Sequence, residues 1–133
     1  MSDGYIRQVI LIRKDLNMRK GMIAAQGAHA SMKVFFDQAR KFRIFGWAFM
    51  LIPMSLTMYR WAIGSFAKVC RYCTSEEELL KAYHDAKAVG LPCALIVDEG
   101  RTEFHGVPTL TCVAVGPADA DTIDKVIGRH PLY

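Results

Sequence analysis

Four large apolar residues in unbroken succession, Val9-Ile10-Leu11-Ile12, constrain this chain more than any other feature. They lie within Tyr5–Arg13, which reads as a β-strand. Successive side chains of a strand point to opposite faces, so both faces here are apolar and both need cover. A sheet with helices on each side meets that need. After the turn Asp15-Leu16-Asn17, with Asn17 as the expected cap, a helix is predicted from near Arg19 to about Arg40. Its small residues, Ala24, Ala25, Gly27, Ala28, Ala30 and Ser31, suit close approach to a sheet. Met22, Gln26, His29 and Lys33 follow the spacing of one helical face, which is largely polar.

A second, less regular helical region covers Trp47–Ile63, broken near Pro53, and Phe66–Tyr72 reads as the second strand. Ser75-Glu76-Glu77-Glu78 has the capping-box spacing. It opens a helix that buries Leu79, Leu80, Tyr83 and Ala86 and stops at Gly90, with Pro92 just beyond. Cys93–Val97 is a short third strand, Asp98–Thr102 a polar loop and Thr109–Val115 a fourth strand; Pro117 opens a last helix through about Val126. The alternation of strands and helices implies parallel crossovers, while the short link between the third and fourth strands implies one antiparallel pairing. The expected fold class is α/β: a three-layer α/β/α arrangement with a four-stranded mixed sheet and helices on both faces. The 133 residues make one domain on this reading, and an apolar fraction of 52% supplies a core without disulfides.

The net charge of +4 is unevenly spread. Residues 1–43 hold nine Lys/Arg (Arg7, Arg13, Lys14, Arg19, Lys20, Lys33, Arg40, Lys41 and Arg43) against three Asp/Glu, and residues 44–133 hold eight against ten. A basic end attracts polyanions by counterion release, and a solvated face fits the charge equally well. Cys70 and Cys73 form a C-x-x-C with no second pair to complete a zinc ribbon, and a strand points them to opposite faces, so no metal site is expected. Unpaired thiols suit a reducing compartment, and no signal peptide opens the chain, so a cytoplasmic protein is expected. The atypical apolar segment at about 42–58 contains Pro53 and is too short to span a bilayer, so membrane attachment is not obligatory. It reads as buried or as a contact for a partner.

Ligands of such sheets gather beyond the carboxyl ends of the parallel strands. Two polar clusters fall there: Asn17–Gln26, at the start of the first helix, and Asp98-Glu99-Gly100-Arg101-Thr102. No G-x-G-x-x-G, Walker or G-x-S-x-G motif is present, and the histidines at 29, 84, 105 and 130 lack metal-ligand spacing. No cofactor is expected.

Three stretches carry a resemblance. They are Gln8 through Ala30, including Lys20-Gly21-Met22-Ile23-Ala24-Ala25-Gln26; Gly90-Leu91-Pro92 with Leu95 through Glu103; and Val115-Gly116-Pro117-Ala118 with Ile123 through Val126 and the ending Gly128 through Tyr133. In order and spacing they resemble the signatures of the archaeal and eukaryotic type of peptidyl-tRNA hydrolase, over most of the chain. The resemblance implies the mixed four-stranded sheet and an enzyme that hydrolyses the carboxylic ester between peptide and tRNA. Its partner would be peptidyl-tRNA, and a homodimer remains open. It assigns Asp98 and Thr102 to the active site, and a loop-stabilising turn around Gly100 is the bland alternative for Asp98. Lys20 would hold a phosphate of the terminal adenosine or stabilise the oxyanion, and Gln26 would bond ribose or a peptide carbonyl. His29 is a base by chemistry, or equally a packing residue of an alanine-rich helix. Arg19, Lys33 and Arg101 would contact the tRNA. Met22 departs from the pattern, which has a second lysine there, so the alternative is a catalytically weak tRNA-binding or protein-interaction relative of the same fold.

Overall fold

The computed structural model describes residues 4–101 and 103–133. The chain runs β1 (Ile6–Arg13), α1 (Lys20–Phe36), β2 (Arg40–Ile44), β3 (Trp47–Leu51), α2 (Leu56–Ile63), β4 (Lys68–Cys73), α3 (Glu76–Ala88), β5 (Cys93–Asp98), β6 (Thr109–Asp119) and α4 (Ala120–Ile127). Four strands form one sheet in the order β4-β1-β6-β5, with β1 parallel to β4 and β6 antiparallel to both β1 and β5. The predicted mixed sheet is therefore present, with two antiparallel pairings where one was expected. The last strand inserts between β1 and β5 instead of joining the edge beside β5.

The double-faced burial of β1 is realised residue by residue. Val9 and Leu11 join Leu79, Ala82 and Ala86 of α3 and Ile123 and Ile127 of α4 in one core. Ile10 and Ile12 join Ala30 and Val34 of α1 and Met58 of α2 in the other. Helices thus cover both faces, in the three-layer arrangement that the apolar run demands. The Ser75 cap also holds: its hydroxyl accepts from the Glu78 N–H at 3.1 Å. Of the four residues predicted to pack beneath α3, Leu79 and Ala86 are buried while Leu80 and Tyr83 are half-buried.

Four local expectations are corrected. Residues 47–51 are not helical. They form β3, which pairs with β2 in a hairpin separate from the main sheet, and only Leu56–Ile63 is helix. The alternation of Phe42, Ile44, Trp47, Phe49 and Leu51 about Gly46 is a period-2 signal, masked by the apolar residues between. Pro117 does not open a helix: β6 continues through a cis Gly116–Pro117 bond, and Asp119 caps α4 by accepting from the Thr122 N–H. Asn17 is not the cap of α1, because it lies in the left-handed region at φ 51° and Arg19 occupies the cap position. That helix ends at Phe36, short of the predicted Arg40.

Candidate active site

The polar clusters at the start of α1 and the end of β5 meet through Gln26. Although on the predicted polar face, Gln26 is only 2% exposed. Its amide Nε2 donates to Asp98 Oδ1 at 3.2 Å, and its Oε1 accepts from the Thr111 hydroxyl at 2.6 Å. Thr111, on β6, is fully buried. An ionised carboxylate only accepts, so Asp98 takes the amide nitrogen, and the Thr111 hydroxyl, which can donate or accept, donates to the amide oxygen that remains. The Cys112 thiol, donating to the Gln26 carbonyl at 3.2 Å, ties the helix backbone to the same strand.

The second carboxylate oxygen of Asp98 accepts from the Gly100 N–H at 2.8 Å, which is the turn foreseen as its bland role. The two readings therefore coexist, one on each oxygen. Gly100 has φ 82°, and a Cβ there would lie 2.5 Å from the Val107 carbonyl oxygen. Only glycine fits that conformation and that space. The half-buried carboxylate is thus held from two sides, and each oxygen keeps a lone pair for a water or a hydroxyl.

The model of the family described as peptidyl-tRNA hydrolase PTH2 matches residues 6–133. The chain belongs to that family. Among its curated relatives is the peptidyl-tRNA hydrolase of Methanocaldococcus jannaschii, 37% identical over 127 residues that cover 96% of this chain and 99% of the relative. Those of Methanococcus vannielii and Methanopyrus kandleri are 40% and 35% identical, over 90% and 95% of this chain and 91% and 97% of theirs.

Other residues that the family resemblance brings forward stand in varied surroundings. Lys20 and His29 are exposed on α1, and their side chains make no hydrogen bond or ion pair with another described residue. Arg19, also exposed, has its backbone N–H bonded to Glu103 Oε2 at 3.3 Å, so a carboxylate of the chain itself stands at the start of the basic helix. Arg101 pairs in solvent with Glu99. Lys33 lies in the last turn of α1, paired with Asp37 at 2.8 Å and roughly 20 Å along the axis from Lys20. Thr102 lies outside the described residues. Met22, where the family pattern has lysine, sets its thioether 3.9 Å from the Gln26 amide nitrogen.

Thr111 and Glu103 were not singled out from the sequence. Thr111 sits inside an apolar strand, and a hydroxyl flanked by Leu110 and Cys112 in such a run is the one signal that could have marked it. Burial pushes the Cys112 thiol up to about 12, partly offset by the hydrogen bond from Thr111, and pushes Cys73 up to about 11. Cys70 and Cys93 are raised by burial as well. Cys70 is exposed and Cys73 buried, on the opposite faces predicted for them. Among the described residues no three His, Cys, Asp or Glu cluster to hold a metal.

Proposed function

We propose that this chain hydrolyses the ester that joins a peptide to the terminal ribose of tRNA, with Asp98 as the group that positions or deprotonates the attacking water. The observation that carries the reading is the Thr111–Gln26–Asp98 relay, which fixes a half-buried carboxylate beside the start of a basic helix. Membership of the family and the names of its archaeal relatives support the substrate.

A water bonded to a free lone pair of Asp98 attacks the ester carbonyl, and its proton passes to the carboxylate. The tetrahedral intermediate collapses by releasing the ribose oxygen, which takes up a proton, leaving free tRNA and a peptide carboxylate. Lys20, exposed at the helix start, serves the oxyanion or a nearby phosphate. Thr102 positions the substrate, and His29 is the subordinate candidate base. Gln26 is chiefly a positioning residue, because Thr111 and Asp98 already engage both ends of its amide; the tRNA contacts fall to Arg19, Arg101 and Lys33.

Cleavage of an N-acetylated aminoacyl-tRNA by wild-type and Asp98→Asn protein tests the reading. The variant, with its thermal transition intact, should lose about 10²–10⁴ in kcat, and Lys20→Ala should lose less. A wild-type protein that leaves the ester intact would refute the activity, and a folded Asp98→Asn protein at the wild-type rate would remove Asp98 from it.

A further inference from the structure

The β2–β3 hairpin presents an apolar surface that the other described residues do not cover. All ten of its strand residues are exposed, and it pairs with no strand of the main sheet. Directly paired residues share a face. One face therefore carries Phe42 opposite Phe49 and Ile44 opposite Trp47, with the two phenyl rings stacked at 5.4 Å. The other carries Lys41 opposite Met50 and Arg43 opposite Ala48. At the tip, Phe45 and Gly46 both have positive φ. Phenylalanine is a poor residue for that conformation, and this one is 98% exposed, with Trp47 at 73%. Strain and exposure together at one aromatic side chain are unaccounted for by the fold of the chain itself.

We propose that the hairpin is a peripheral membrane anchor, which docks the protein on bilayers rich in anionic phospholipid. Charge selects that partner. From residue 38 to residue 75 the sequence has no Asp or Glu, while Arg40, Lys41, Arg43, Arg60 and Lys68 fall in the same stretch. Cations draw such a surface to an anionic leaflet, and Trp and Phe settle among the headgroups.

Length sets the depth. Five residues of strand reach roughly 17 Å, against a hydrocarbon core of about 30 Å, so the hairpin enters one leaflet and does not span. The outer side of α2 also carries exposed apolar side chains, Leu56, Tyr59 and Ile63. A depression of about 210 Å³ between α1 and α2, lined in part by Phe36, Ile52 and Met54, extends the apolar surface toward the first helix.

Two other occupants fit less well. A second copy seated on the same patch would set cations against cations with no carboxylate between them. A nucleic acid needs cations outermost, whereas the tip is Phe45-Gly46 and much of the surface is aliphatic Ile44, Met50 and Leu51. Lys20 stands at the far end of the 17-residue α1, about 25 Å along the helix axis from the turn that leads to the hairpin. The proposal stands whether or not the chain cleaves peptidyl-tRNA.

Flotation of the full-length protein with vesicles of phosphatidylcholine alone, or with about 30% phosphatidylserine, tests it. Wild type should float with the anionic vesicles, less so in high salt, with a blue shift of Trp47 emission. Phe45→Asp/Trp47→Asp should lose more than tenfold in partitioning, and Arg40→Gln/Lys41→Gln/Arg43→Gln roughly 10²-fold, at about fivefold per cation. All five positions are exposed, so both variants should keep the wild-type thermal transition and ester cleavage. Absence of flotation on anionic vesicles overturns the proposal, as does flotation that neither variant weakens. A dimer that Phe45→Asp/Trp47→Asp dissociates, or tRNA capture that the charge variant abolishes, either one without flotation, overturns it in favour of those partners.

Discussion

Helix α1 joins two regions built on opposite terms. At its start Gln26 and Thr111 are buried polar residues whose side chains bond each other, and Asp98 is held from two sides. Beyond its end, the β2–β3 hairpin exposes its large apolar side chains, held to each other by strand pairing and a Phe42–Phe49 ring stack. The first region spends burial on fixing the direction of a single carboxylate; the second leaves apolar area uncovered. Catalytic groups need positions held to fractions of an ångström, whereas a surface that meets a fluid partner needs only chemistry and exposure.

Two glycines give the sharpest way to break this comparison. Gly100 and Gly46 share a φ of 82°, but a Cβ on Gly100 would strike Val107 while one on Gly46 would meet open space. Gly100→Ala should cost on the order of 3 kcal/mol and lower kcat, while Gly46→Ala should cost about 1 kcal/mol and leave kcat alone. Urea unfolding with parallel assays checks both, and equal costs would mean that the loop around Asp98 is no tighter than the hairpin turn.

A smaller effect is expected at Thr111. Thr111→Val keeps the shape but leaves the buried Gln26 oxygen without its donor, at about 1–3 kcal/mol. If the hydroxyl positions Asp98 through Gln26, kcat should fall about 10–10²-fold with KM nearly unchanged, and Thr111→Ser should restore it. Loss of stability at full kcat would reduce the relay to a packing device.

The smallest effect concerns a buried polar group outside both regions. His130 is 5% exposed, its Nε2 has no hydrogen-bond partner among the described residues, and Glu78 Oε2 lies 3.8 Å from its Nδ1. Burial, joined by Arg129 and Arg71, lowers its pKa below the usual 6.5, against a weaker opposing pull from Glu78. The unfolded chain then binds this proton more readily than the folded one. The resulting stability is complete above pH 6.5 and is lost as pH falls toward the folded value. Thermal melts at pH 7.5 and 5.5 should show a Tm that drops on acidification, and His130→Asn should flatten that drop. An unchanged slope would place the acid sensitivity elsewhere.

The pieces of the candidate site were legible because their signals are local. Asp98 stands at the end of a short apolar strand, and Lys20 and Gln26 stand on a helix whose start follows a turn. The bond between Gln26 and Thr111 was not legible. It spans 85 residues, and only the insertion of β6 between β1 and β5 brings the two together. Nothing near residue 26 records which strand will lie beneath it.

The sequence by itself determined that Val9–Ile12 must be covered on both faces, that Ser75 starts a helix and that the chain carries the signatures of its family. Each is a matter of period, cap or motif, settled within a few residues by sterics and hydrogen bonding. The tertiary structure alone decided that the final strand takes the centre of the sheet, that Gln26 joins Thr111 to Asp98, and that residues 40–51 stand out as a hairpin. Those outcomes depend on which distant surfaces bury each other, and an apolar stretch such as 42–51 has the same composition whether it ends up covered or bare.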